Sequence, residues 1–452
     1  MQKSTQSEHL RRLSRSLLTP DQQSTITRIK ASPTLLVGDM GVGKTVIAAT
    51  AIQELLDAKK IKRVLIISTP KIANTVWKTE FNKWEHLHRI TVELATGDAA
   101  QRQTAFSSSA QVVVMTFNTL PWWTKTTHTN FDGLLIDEST KLKTPGGAGF
   151  KSLRHKLKNF SWRCAMTGTP VSENLLALYT QLFLVDLGLT LGTRFDTFRQ
   201  RYFYPTDYKQ YNWAVIPEQD KALLCAVAPH VHVMDEYSHE LPPIEYEDVL
   251  LTLPPEVQDF YDELRKNLVL EAQDIVAANQ AVLANKLAQV VNGWAYDVYG
   301  EPYQISDYRL HALKAERAAI EGNVIICYWY REDLARIKTT LADAVELTPA
   351  NLAGTVQLWN DGKIRTLLIH PRSCGHGLQL ERGGHTVIWY SPQWSRDLWL
   401  QTNARVWRRG QKHPVKILTL VADGTIDDLI ISRVEGKGDF GTLFKKHLRN
   451  TD

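Results

Sequence analysis

Short apolar runs recur through the first part of the chain, each closed by glycine, proline or a polar cluster. Leu35-Leu36-Val37 runs into a glycine-rich turn, and the β-branched run Arg63-Val64-Leu65-Ile66-Ile67-Ser68-Thr69-Pro70 stops at its proline. Residues 111–116, 131–140 and 162–170 repeat the pattern. Runs apolar at every position, rather than at alternate ones, predict strands buried on both faces. Helical patterns lie between them. Val46, Ile47, Ala48 and Ala49 follow the turn, and Trp77, Phe81 and Trp84 recur at helical spacing and read as core. Strands alternating with helices predict an α/β protein with a parallel, doubly wound sheet.

From about 171 to 235 the pattern turns helical, and Leu241-Pro242-Pro243 reads as a linker. Residues 255–320 are helical again. Strand-like runs resume at 323–328, 365–370, 385–390 and 415–420, which predicts a second α/β lobe. The expected domains are therefore 1–235 and 240–452, with helical insertions at about 171–235 and 255–320. A basic leader occupies residues 1–17, and Pro20 is well placed to start a helix.

Ligands of open parallel sheets sit at the carboxyl ends of strands. Three polar clusters fall at such ends: the glycine-rich turn, Asp137-Glu138, and Thr167-Gly168-Thr169. The turn reads G-x-x-x-x-G-K-T over Gly38, Asp39, Met40, Gly41, Val42, Gly43, Lys44 and Thr45. Its glycines let successive backbone N–H groups converge on one anion at a helix N-terminus. In such a loop the lysine, Lys44, reaches the β- and γ-phosphates, and the Thr45 hydroxyl holds Mg²⁺. Asp137 is the second magnesium candidate, directly or through water, and Glu138 the residue that orients and deprotonates an attacking water. The second lobe has no phosphate loop but carries Gln401-Thr402-Asn403-Ala404-Arg405-Val406-Trp407-Arg408-Arg409-Gly410-Gln411. In a helix, Arg405 and Arg408 share one face. They are then either arginine fingers, worth roughly 10³–10⁵ in rate, or a solvated or phosphate-binding basic face.

Composition narrows the class only slightly. The 452 residues hold 53 Lys+Arg against 48 Asp+Glu, a net charge of +5 that permits nucleic-acid binding without demanding it. No apolar run reaches the roughly 18–20 residues of a membrane helix, and the start of the chain has no apolar signal region. The four cysteines, widely spaced, suit neither a disulfide framework nor a zinc site. The expected compartment is the reducing cytoplasm.

Taken in order, the motifs resemble those of superfamily-two helicase-type ATPases, and within them the Swi/Snf-type translocases. LTPDQ resembles the adenine-reading motif, with Gln22 as reader. GDMGVGKT and IDEST resemble the two nucleotide motifs, and STPKIANTVWKTEFNKW the first nucleic-acid motif. MTGTPVSENLLALY is similar to the segment that couples ATP state to lobe motion, through Thr167, Gly168 and Thr169. QTNARVWRRGQ followed by VKILTLVADGTIDDLI is the most family-specific stretch. Two departures stand out: Thr140 replaces a histidine or glutamine, and Pro371 has no hydroxyl to offer a DNA phosphate. Gly375 and Gly377 are retained.

The resemblance implies two RecA-like lobes with helical insertions and a nucleotide cleft between them. It implies ATP and Mg²⁺ as cofactors, with Gly377 and Gln401 on the nucleotide side. It also implies DNA, more readily duplex than single-stranded, held across both lobes. Lys71, Thr116, Arg331, Arg372 and Ser373 are the candidate contacts; an exposed loop charge is the alternative for Lys71 and Arg331. A motor of this size resembles bacteriophage or bacterial members, which places it in a host cytoplasm if phage-encoded, as a monomer. Two other functions stay open: a strand-separating DNA or RNA helicase, and an ATP-gated recruitment protein for a polymerase or nuclease.

Overall fold

The computed structural model describes residues 12–39, 41–126, 130–171, 175–208, 210, 213–234, 241–271, 277–297, 299–372 and 378–435. These divide into two compact units, the first ending at residue 234 and the second starting at residue 241.

The first unit is built on a seven-stranded parallel sheet. Its strands are β1 (Thr34–Val37), β2 (Val64–Ser68), β3 (Val92–Ala95), β4 (Val112–Thr116), β5 (Gly133–Asp137), β6 (Trp162–Thr167) and β9 (Val231–Val233), in the spatial order β3-β4-β2-β5-β6-β1-β9. The five expected strands are all present. They are also the central ones, and β1, β2, β4 and β5 are buried at every position. The helices α1 (Pro20–Ala31), α2 (Lys44–Asp57), α3 (Pro70–Thr75) and α4 (Trp77–Lys83) flank them. Trp77, Phe81 and Trp84 are core, as their spacing indicates. Of the basic leader's described residues, only Arg15–Leu17 form a helical turn. Leu13 beside them bonds to the backbone of Lys83 and Glu85.

The stretch 171–235 is less helical than expected. It holds the antiparallel ribbon β7 (Phe203–Pro205) and β8 (Trp213–Val215) and the edge strand β9. The helix Ala177–Asp186 is buried along its whole length and packs on β1 and β6. That helix is part of the core. It is apolar on all sides because it is covered on all sides.

The second unit has a six-stranded parallel sheet. Its strands are β10 (Ile244–Leu251), β13 (Val324–Cys327), β14 (Val345–Glu346), β15 (Thr366–Ile369), β16 (Thr386–Trp389) and β17 (Val415–Ala422), ordered β10-β17-β16-β13-β15-β14. The expected two-sheet α/β class is therefore found. The 255–320 stretch is three helices, Pro255–Glu271, Ala277–Val291 and Tyr308–Ala319, interrupted by a hairpin of β11 (Trp294–Tyr296) and β12 (Pro302–Gln304). A buried polar network fastens it to the sheet. Asn292 donates to Asp333 (3.1 and 3.2 Å), and so does the Trp294 indole (2.8 Å). Arg309 bonds to Asn292, to the Tyr390 and Leu420 carbonyls and to Asp427, with which it forms a fully buried ion pair. Asp333 has its pKa raised by burial, an effect that the hydrogen bonds from Ser391, Trp294 and Tyr330 oppose.

Candidate active site

The carboxyl edge of the first sheet gathers the motifs in strand order. Gly38 follows β1, Thr167 ends the neighbouring β6, and Asp137 ends β5 beyond it. The Gly38 N–H donates to the Thr167 carbonyl at 3.1 Å, so the glycine-rich turn and the Thr167–Thr169 turn share a backbone bond. Where a Cβ on Gly168 would stand, the Gly38 carbonyl lies 3.6 Å away. The Thr169 N–H donates to the Thr167 hydroxyl (3.1 Å), which tightens this turn.

The turn has the backbone that its glycines permit. Gly41 and Gly43 lie at φ +89 and +88, a region costly for residues with a Cβ. Gly43 caps α2, so Lys44 and Thr45 open the helix whose N-terminus faces the turn. Lys44 Nζ donates to the carbonyls of Gly38 (2.7 Å) and Asp39 (3.0 Å), holding the loop curled around its ammonium. Met40 lies outside the described residues.

Gln22 is fixed at both ends. Its Oε1 accepts from the Thr19 N–H (3.0 Å), completing a capping box at the start of α1, whose first residue is Pro20. Its Nε2 donates to the Val42 carbonyl inside the loop (3.0 Å). Gln22 therefore touches the glycine-rich turn directly.

Asp137 is buried, and its Oδ2 accepts from Ser68 Oγ (3.0 Å) and the Trp77 indole N–H (3.1 Å). Sequence reasoning took Trp77 as core and passed over Ser68. The indole N–H is a polar handle on a buried ring, and spacing alone does not reveal it. Glu138 is also buried and sits at φ +69 and ψ +59, a conformation rare for non-glycine residues and typical of functional turns. Burial first, then the Asp137 charge, raises the Cys164 pKa and keeps that thiol protonated. Ser139 donates to Gln181 Oε1 (2.8 Å), while Gln181 Nε2 donates to the Pro170 carbonyl (2.6 Å). The IDEST and TGTP segments are therefore joined by Ser139 and Gln181. Met234, also missed, packs against Gly38, and its N–H donates to Val37.

Thr116 ends β4 but is buried, with its hydroxyl 3.0 Å from that of Thr119. Lys71 is half-buried on α3. No helix among the described residues is long and apolar enough to cross a membrane.

In the second unit the arginine run is not helical. The helix Arg396–Asn403 ends before it, and the Asn403 carbonyl accepts from both Val406 and Trp407. The Asn403 side chain accepts from the Trp389 indole (3.0 Å), which anchors the end. Arg405 and Arg408 thus follow the helix in turns, and the expected shared helix face is replaced by a common support. The Leu380 N–H donates to the Arg405 carbonyl (3.2 Å), Arg408 donates to the Leu378 carbonyl (3.1 Å) and lies 3.7 Å from the buried Glu381 carboxylate. Gln411 clamps the same segment through the Glu381 and Gly384 carbonyls (2.9 and 3.0 Å). Gln401 is half-buried on the helix. Arg331 and Arg372 are exposed at the carboxyl edge, after β13 and β15. Ser373, Gly375 and Gly377 lie outside the described residues.

Relatives exist across phage and eukaryotes. The chain is 29% identical over 424 residues to protein p41 of Acyrthosiphon pisum secondary endosymbiont phage 1, covering 88% of this chain and 91% of that protein. It is 23% identical to the DNA repair and recombination protein RDH54 of Saccharomyces cerevisiae (strain YJM789), over 91% of this chain but 51% of that protein, so it spans about half of the yeast relative. Among solved structures, the Sulfolobus solfataricus SWI2/SNF2 ATPase core in complex with dsDNA superposes with a TM-score of 0.45 at 19% identity, covering 95% of this chain and 92% of that one. The model of the SNF2-related domain matches residues 19–294, more than half of the sequence, and the chain belongs to that family.

Proposed function

We propose that this protein hydrolyses ATP to move along double-stranded DNA and to displace what is bound there. The observation that carries the ATPase reading is the row of groups on the first sheet's carboxyl edge: Lys44 in its loop, Asp137 held by Ser68 and Trp77, Glu138 in a left-handed turn, and Thr167 bonded to Gly38. These residues fit a nucleoside triphosphate. In this reading the glycine-rich turn and Lys44 bind its phosphates, and Gln22 reads the adenine. Thr45 and Asp137 would hold Mg²⁺, which supplies charge neutralisation at the phosphates. Glu138 orients the attacking water and accepts its proton. By the family resemblance, Arg405 and Arg408 are the residues that would neutralise transition-state charge, and Gln401 and Gly377 are assigned to the nucleotide.

The shared backbone bond between the loop and the Thr167–Thr169 turn gives that turn a direct means of sensing the nucleotide. DNA as the track is supported by the exposed Arg331 and Arg372, the net positive charge, and relatives named for DNA repair and recombination. Contacts through phosphates make binding tolerant of sequence and sensitive to salt.

The test is Glu138→Gln in third-strand displacement from a DNA triplex. The variant is expected to bind ATP and duplex DNA but to lose both hydrolysis and displacement. Displacement retained without hydrolysis refutes the motor and favours recruitment of a partner. Separation of a forked duplex by the wild type moves the reading to a helicase.

A further inference from the structure

At the carboxyl edge of the second sheet, Arg372 belongs to a stack of three side chains whose other members, Trp329 and His370, have been given no role. The His370 imidazole lies on the Trp329 indole with ring centroids 5.1 Å apart and planes inclined by 22°. The Arg372 guanidinium lies over the same indole, 4.8 Å from its centroid, within cation–π range. Trp329 follows β13 and His370 follows β15, and these strands are paired.

Hydrogen bonds fix the histidine. Its Nε2 is 3.1 Å from the Trp329 carbonyl, a group that only accepts, so Nε2 carries the proton. Its Nδ1 is 3.2 Å from the Arg372 backbone N–H, a group that only donates, so Nδ1 accepts. The neutral imidazole satisfies both bonds at once. Pro371, between His370 and Arg372, is buried and has a restricted φ. The exposed Arg372 is therefore fixed through its backbone by His370 and through its guanidinium by Trp329. A flexible arginine loses side-chain entropy on binding a phosphate; one already held over an indole loses less. Arg331, also exposed, begins the helix after β13 and gives the patch a second positive charge.

We propose that Trp329 and His370 are positioning residues that present Arg372 to a backbone phosphate of duplex DNA. This rests on the reading of the chain as a DNA motor. In this arrangement Pro371 replaces a hydroxyl contact with a rigid mount for the neighbouring arginine.

The test is duplex binding by the full chain, followed by fluorescence anisotropy across a salt series. Arg372→Ala is expected to weaken binding roughly tenfold, the value of one charge-assisted hydrogen bond. It should also lower the slope of log affinity against log salt by about 0.9, one phosphate contact. Trp329→Leu and His370→Ala should each reproduce most of both losses, and Trp329→Phe should restore them. The double variant Trp329→Leu/Arg372→Ala should bind no more weakly than Arg372→Ala alone. Fully additive losses, or a wild-type slope in Trp329→Leu, overturn the proposal. If Trp329→Leu does not fold, His370→Ala carries the same comparison. A wild type that binds duplex DNA while His370→Ala and Trp329→Leu keep its slope overturns only the mount; a wild type that binds none overturns the DNA reading with it.

Discussion

Gly43 and Gln22 provide a quantitative check on the phosphate loop. In Gly43→Ala the new Cβ must occupy φ +88, which costs about 1–2 kcal/mol. It would also stand 2.5 Å from Gln22 Nε2. The amide must then swing away and give up its bond to the Val42 carbonyl, a further ~0.5–1.5 kcal/mol. The expected local cost is about 1.5–3.5 kcal/mol. Gln22→Ala alone loses that same bond together with the bond from the Thr19 N–H, about 1–3 kcal/mol in all. Once Gln22 is gone, Gly43→Ala has no amide to displace and carries only the backbone term. The double-mutant cycle should therefore close with a coupling of about 1 kcal/mol. Hydrogen exchange of the α2 amides is the suitable assay, because it reads local opening in a chain whose two units need not unfold together. A Gly43→Ala cost below about 0.5 kcal/mol, or additivity within ~0.3 kcal/mol, would refute the reasoning.

Three further outcomes are expected. Asp427→Asn leaves Arg309 buried without its ion-pair partner; it should destabilise the second unit by about 3–5 kcal/mol and lower that unit's thermal transition, and a scan with every transition unchanged contradicts the network. Gln181→Leu strands the Ser139 hydroxyl and the Pro170 carbonyl; a loss of about 2–3 kcal/mol is expected by urea denaturation, with a neutral change counting against the bridge. His86 is held below its ordinary pKa by burial and then by Arg15, against the opposing charges of Glu54 and Glu85, so below about pH 6.5 the unfolded chain binds the proton more readily than the folded one. Its contribution is present above that pH and lost as pH falls through the folded value. The stability difference between wild type and His86→Gln should accordingly be larger at pH 7.5 than at pH 5, and a difference that grows on acidification refutes this.

Much of the fold was legible because the central strands are short runs buried on both faces, and such runs leave no ambiguity with a half-exposed strand. The missed strands are edges. β3 buries only Ala95, and β10 is exposed over most of Ile244–Leu251, where glutamates and an aspartate obscure any apolar pattern. β9 is three residues long and lies in a stretch dominated by helices. At the candidate site, the glycine turn and the acidic pair stand at strand ends as the apolar runs predicted, although adjacent acids there are also common as a solvated strand end. The shell behind them was not legible. The Trp77 N–H, the Gln181 amide and the Gln411 clamp are polar atoms on residues whose spacing signals only packing. Whether the arginine run is helical stayed open because nothing in the local sequence marks Asn403 as the last helical residue; the tertiary bond from Trp389 does.

The most direct test of the motor reading is steady-state ATP hydrolysis with no nucleic acid, duplex DNA, single-stranded DNA or RNA, using Lys44→Ala as control. The account predicts stimulation mainly by duplex DNA, abolished in the variant. Stimulation by none of the three contradicts it.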